Sequence, residues 1–122
     1  MLIVEDHARM RSALRDYLQS AYPRFSIFEA ADAASAFELC REREFRVVLL
    51  DVRLPDANGI DLIAPLRVLR PECEIVVVSQ YAIPAYAERA RAAGAFAYVT
   101  KNSIFHDLTP TIDRALQARA AR

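Results

Sequence analysis

The chain has 122 residues, enough for one domain that builds its core without disulfide or metal staples. Its 16 basic and 16 acidic side chains cancel, which argues against an electrostatic footprint on nucleic acid. The 54% of hydrophobic residues fall in short runs, none near the ~20 needed to span a membrane, and Glu5-Asp6 interrupts the first run too early for a signal peptide, so the expected location is the cytoplasm.

In chain order, an apolar run at 2–4 predicts a first strand, and Met10, Leu14 and Leu18 recur on one face of a first helix. After Pro23, residues 25–28 read as a second strand, and Asp32 caps a helix with Ala36, Leu39 and Cys40 on one side. Residues 47–50 read as a buried third strand. Asn58-Gly59 opens a helix carrying Leu62, Ile63, Leu66 and Leu69, which Pro71 ends. A fourth strand at 75–78 is followed by a helix with Pro84 in its first turn and Gly94 at its end. Residues 96–100 make the last strand, and a final helix runs to Ala120-Ala121-Arg122. Two prolines disturb the pattern: Pro65 should kink the third helix, and Thr109-Pro110 reads as a late N-cap and first turn for the last one.

Five strand-helix units imply right-handed crossovers and a parallel sheet. Runs such as Val47-Val48-Leu49-Leu50 lack alternation, so both sheet faces are covered. The expected fold is a three-layer α/β/α sandwich with a five-stranded parallel sheet in the flavodoxin-like order 2-1-3-4-5. Cys40 and Cys73 fit no metal spacing or disulfide framework and read as ordinary thiols. There are fifteen Arg and a single Lys, Lys101. An Arg-biased genome explains the excess, but a retained lysine suits a site where only a compact ammonium fits.

The polar residues stand where the strands end. Glu5-Asp6 follows the first, Asp51 the third, Ser79 the fourth and Thr100-Lys101 the fifth. In a parallel sheet these ends share one edge, and the switch point lies between the first and third strands. Three carboxylates crowded there repel, so a cation must sit among them, and an oxygen-rich set with room for water suits Mg²⁺. Asp51 flanked by that cation and Lys101 can act as a phosphoryl nucleophile, with Ser79 donating to a phosphoryl oxygen. Taken singly, each residue has an ordinary reading: a loop start, a strand end, or, for Tyr98, a core aromatic. Their joint order carries the argument.

Residues 51–59, Asp-Val-Arg-Leu-Pro-Asp-Ala-Asn-Gly, resemble the D-x-x-[LM]-P-x-x-[DN]-G motif of response-regulator receiver domains. Residues 2–7 resemble that family's opening strand and acidic pair, and 93–101 its last strand and lysine. The likeness covers essentially residues 1–122. It implies that Glu5, Asp6, Asp51 and the Arg53 backbone carbonyl hold Mg²⁺, and that a sensor histidine kinase phosphorylates Asp51. It implies further that Lys101 pairs with the phosphoryl group, while Ser79 and Tyr98 form the switch. The domain would catalyse only its own phosphorylation and dephosphorylation. It would bind neither nucleic acid nor membrane.

Glu5-Asp6-His7, Ser79 and Lys101-Asn102 resemble the NarL/FixJ-type subfamily, whose receivers usually precede a DNA-binding domain. The chain therefore reads as a stand-alone receiver or as part of a transcription factor. A homodimer through the fourth helix, fifth strand and fifth helix is the expected output contact, with Pro110 placing that face in question. Two other readings compete. An Asp-dependent phosphatase needs a second acid at position 53, where Arg stands. A degenerate receiver would serve only as a docking module. Flavin binding lacks a phosphate-cradling loop after the first strand.

Overall fold

A computed structural model describes residues 1–120; Ala121 and Arg122, the end of the expected last helix, lie outside the described residues. Five strands, β1 (Leu2–Val4), β2 (Phe28–Ala30), β3 (Val47–Asp51), β4 (Glu74–Ser79) and β5 (Ala97–Thr100), form one parallel sheet in the order 2-1-3-4-5. Five helices alternate with them: α1 (Ala8–Ala21), α2 (Ala33–Glu42), α3 (Gly59–Leu69), α4 (Pro84–Ala93) and α5 (Ile104–Ala120).

Successive strand residues face opposite layers, and both layers are dry. Val48, Leu50, Ile75 and Val77 pack against α2, α3 and Ala90 of α4. Val47, Leu49, Val76 and Val78 pack against Leu14 and Leu18 of α1 and Ile104, Leu108 and Ile112 of α5. That two-sided burial is why these strands read as continuous apolar runs. Gly94 closes α4 at φ 115°, a left-handed conformation that favours glycine.

Two expectations are corrected. The second strand lies at Phe28–Ala30, not at 25–28. Pairing with β1 begins where Phe28 meets Leu2, while Phe25 follows a turn closed on the Tyr22 carbonyl. Phe25 and Ile27 are apolar because they pack on the α1/α5 layer, and burial alone does not make a ladder. The last helix begins at Ile104, not at Thr109-Pro110. Ile104, Leu108, Ile112 and Ala115 form one uninterrupted buried stripe, so packing of the whole face outweighs the local capping signal. Pro110 and His106, four residues earlier, are both exposed, so the carbonyl that Pro110 cannot bond faces water. Tyr17 of α1 and Tyr22, which caps that helix's C-terminus, bind the same segment, through the Thr109 hydroxyl, the Thr109 carbonyl and Asp113. α3 likewise continues through Pro65, which lies on its exposed side.

Candidate functional site

The acid turn after β1 is fixed from several directions. Glu5 is buried, and its backbone N–H donates to the Ala30 carbonyl at 3.0 Å. Its carboxylate accepts the His7 backbone N–H at 3.2 Å. Arg11, one turn into α1, donates to the carbonyls of Glu5 (2.9 Å) and Asp6 (3.4 Å). Asp6 is exposed. Asp51 ends β3, 7% exposed. Its backbone is pressed by α3, because a Cβ on Gly59 would land on the Asp51 carbonyl oxygen. Only glycine allows that approach. Carboxylate oxygens of Glu5, Asp6 and Asp51 all lie within 4.8 Å of one another.

Lys101 enters from the end of β5, with Nζ 2.6 Å from Glu5 Oε1 and 3.5 Å from Asp51 Oδ2. One ammonium cannot balance three carboxylates. Burial, the Glu5 hydrogen bond and the Glu5 charge push Asp51 up to about 7, against the pull of Lys101. Burial disfavours Glu5 ionisation too, but hydrogen bonds from Asp51 and Lys101 hold its carboxyl below the usual range. Burial works against the Lys101 charge, and the two acids more than restore it. Burial and the neighbouring acid thus work against an ionised Asp51, and the acid cluster is short of positive charge. A divalent cation held by oxygens fits that deficit, and Mg²⁺ with a few carboxylates and water is the natural occupant.

The other side of the site is a hydroxyl chain. Ser79, the last residue of β4, is buried, and its Oγ accepts the Tyr81 backbone N–H at 3.0 Å. The Tyr98 hydroxyl, from β5, donates to the Tyr81 carbonyl at 2.6 Å. The Tyr81 ring lies under the Arg53 guanidinium, 4.7 Å from its centroid, and its hydroxyl accepts from Gln80 at 2.8 Å. Glu5, Asp6, Asp51, Arg53, Tyr81 and Lys101 line an open cleft of about 570 Å³ that also reaches Met10 and Phe105, while Ser79 and Tyr98 are not in its lining.

Glu5, Asp6, Asp51 and Lys101 therefore meet around one point at the sheet's carboxyl edge, where Ser79 ends β4, and Tyr98, inside β5, is joined to Ser79 through Tyr81. Arg53 is exposed and offers no carboxylate, so the second acid of an Asp-dependent phosphatase is absent at that position. Three contributors went unread in the sequence. Arg11 supports the acid turn and Tyr81 links the hydroxyls. Asp56 binds the N-terminus of α2. Each acts on backbone groups, which residue identity does not advertise.

A 2-1-3-4-5 sheet carrying this acid cluster and lysine at its carboxyl edge is the architecture of signal-receiver domains. The chain belongs to the response regulator receiver domain family, whose profile matches residues 1–113. It is similar to the transcriptional regulatory protein PdtaR of Mycobacterium tuberculosis, 34% identical over 116 residues, 95% of this chain and 56% of that protein. The chain thus spans about half the length of such curated relatives. A CheY-like receiver domain protein from Methanospirillum hungatei superposes with a TM-score of 0.90 at 27% identity, covering 98% of this chain and 94% of the other. A response regulator from Burkholderia pseudomallei matches at a TM-score of 0.84 and 26% identity, over 98% of this chain and 70% of that one; its structure holds a phosphorylated aspartic acid and a calcium ion. No helix among the described residues is long and apolar enough to cross a membrane.

Proposed function

We propose that Asp51 accepts a phosphoryl group from a sensor histidine kinase and that the bond switches the β4–α4 loop. The observation that carries this reading is the placement of a buried, charge-deficient Asp51 between an acid pair and the only lysine of the chain. An Asp51 carboxylate oxygen attacks phosphorus, the phosphorus–nitrogen bond to the donor histidine breaks, and the leaving imidazole keeps the electron pair and takes a proton from water. Glu5, Asp6, Asp51 and the Arg53 carbonyl would hold Mg²⁺, which supplies charge neutralisation to the phosphoryl oxygens and favours the ionised Asp51. Lys101 exchanges part of its contact with Glu5 for a phosphoryl oxygen. Ser79 turns its hydroxyl to another and releases the Tyr81 N–H. Tyr81 then shifts, and Tyr98 follows its carbonyl.

The face of α4, β5 and α5 carries that change outward. It bears a groove of about 350 Å³ lined by Arg91, Tyr98, Thr111 and Arg114, which supports a phosphorylation-dependent homodimer or a docked output domain. The domain acts once per phosphoryl group and turns over no external substrate. Glu5-Asp6-His7, Ser79 and Lys101-Asn102 support a NarL/FixJ-type regulator of transcription, working in the cytoplasm through a DNA-binding domain of the parent protein.

Intact mass after incubation with acetyl phosphate and Mg²⁺ tests the phosphoacceptor. A single phosphoryl adduct is expected, absent with EDTA and in Asp51→Asn. Folded wild-type protein that stays unmodified would refute the reading and favour a docking module without phosphorylation.

A further inference from the structure

Asp56 stands five residues after Asp51, at the tip of the β3–α3 loop. The loop is a compact stem. Arg53 and Asn58 form a bridge, Leu54 N–H donates to the Ala57 carbonyl at 3.2 Å, and Gly59 N–H to the Val52 carbonyl at 2.6 Å. The tip is exposed, yet it is fastened elsewhere. Asp56 accepts the backbone N–H of Ala33 at 2.8 Å and of Ala34 at 3.0 Å, with one carboxylate oxygen each. Those are the first two residues of α2. Asp32, the helix's own N-cap, takes the third donor, Ser35 N–H, at 2.7 Å. Two acids thus share one helix end, and one of them arrives from a different loop.

That division is informative. Capping alone is a local task, which Asp32 performs as such residues do. A carboxylate sent across 23 residues ties two separate parts of the molecule together. The loop it anchors begins at Asp51 itself and closes back on it, since Gly59 at the loop's end packs against the Asp51 carbonyl oxygen. On the other side, β2 leads into α2, and the Ala30 carbonyl at its end holds the Glu5 backbone N–H. The latch therefore joins the Asp51 side of the acid cluster to the Glu5 side.

We propose that Asp56 is a positioning residue for the metal edge: by fastening the β3–α3 loop to the N-terminus of α2, it sets Arg53 and Asp51 in register with Glu5 and Asp6. The proposal rests on Mg²⁺ being held by those residues. Second-sphere contacts of this kind set metal affinity by placing the donors before the ion arrives.

The test is a calorimetric Mg²⁺ titration of the unphosphorylated full chain, with thermal unfolding beside it, for wild type, Asp56→Ala and Asp32→Ala. Both variants lose a cap of α2, so both are expected to lower Tm by about 4 °C. Only Asp56→Ala is expected to weaken Mg²⁺ binding, by about tenfold. Asp56→Asn keeps one acceptor and serves if the alanine variant does not fold; its expected loss is about threefold. Equal Mg²⁺ affinity in wild type and the Asp56 variants overturns the latch while leaving the metal site standing. An equal loss in Asp32→Ala overturns it too, since the effect would then be helix stability alone. A wild type that binds no Mg²⁺ overturns the metal site, and the latch with it.

Discussion

Asp51 sits in a site that stabilises its function at the expense of the fold. Its carboxyl is pushed up to about 7 by burial and by Glu5, against an unfolded value of about 3.9. Between those values the unfolded chain has released the proton that the folded chain retains, so stability falls as pH rises through the window and is flat above it. Asp51→Asn removes the titrating charge. In EDTA at pH 8 the variant should exceed wild type by about 2 kcal/mol, a gap that narrows toward pH 5. Urea denaturation at the two pH values measures it. Glu5 titrates in the opposite sense, its depressed value adding stability that is lost as pH falls, and because Asp51 contributes to that depression the substitution shifts it as well. A gap independent of pH would mean that Asp51 is ionised throughout. Saturating Mg²⁺ should close most of the gap by supplying the missing charge to wild type.

At the scale of elements, α5 shows where local rules and packing compete. Thr109-Pro110 has the form of a helix start, and read alone it places the boundary six residues late. Ile104 and Leu108 lie upstream at helical spacing and were legible in the sequence; their weight came from the sheet face they cover. Strands β1, β3 and β4 were easier, because burial on both faces leaves an uninterrupted apolar run in each, with polar residues only at the ends of β3 and β4. β2 slipped because Phe25 and Ile27 are partly buried against the α1/α5 layer without pairing. Pro110 therefore survives as a local cost on the exposed side of a helix held by its other face. Pro110→Ala should restore the bond to the His106 carbonyl and raise stability by about 2 kcal/mol, the loss of proline rigidity in the unfolded chain offsetting part of the gain. Thermal unfolding checks this. A lower Tm would show that the proline shapes α5 for its contacts with Tyr17 and Tyr22.

Across the whole molecule, the strand order turns scattered residues into one edge. Glu5, Asp6, Asp51, Ser79 and Lys101 were readable because each follows an apolar run, and parallel strands end together. What joins them was not readable: the Tyr81 backbone between Ser79 and Tyr98, and the carbonyls that Arg11 grips, carry no residue signature. That join decides how the switch rests. The Tyr81 backbone is held by two hydrogen bonds, each worth about 1 kcal/mol net, so the resting loop occupies a shallow well. Under the proposed function, phosphorylation empties it by drawing Ser79 away. Tyr98→Phe removes one of the two bonds without touching the acid cluster or Lys101. It should therefore leave Mg²⁺ binding and adduct formation unchanged while speeding amide exchange at residues 80–83 about fivefold in the unphosphorylated protein. Hydrogen exchange read by mass spectrometry separates the two possibilities. Unaltered exchange would mean that Tyr81 is held by its ring contacts with Arg53 and Tyr86, and that Tyr98 only reports the loop's position.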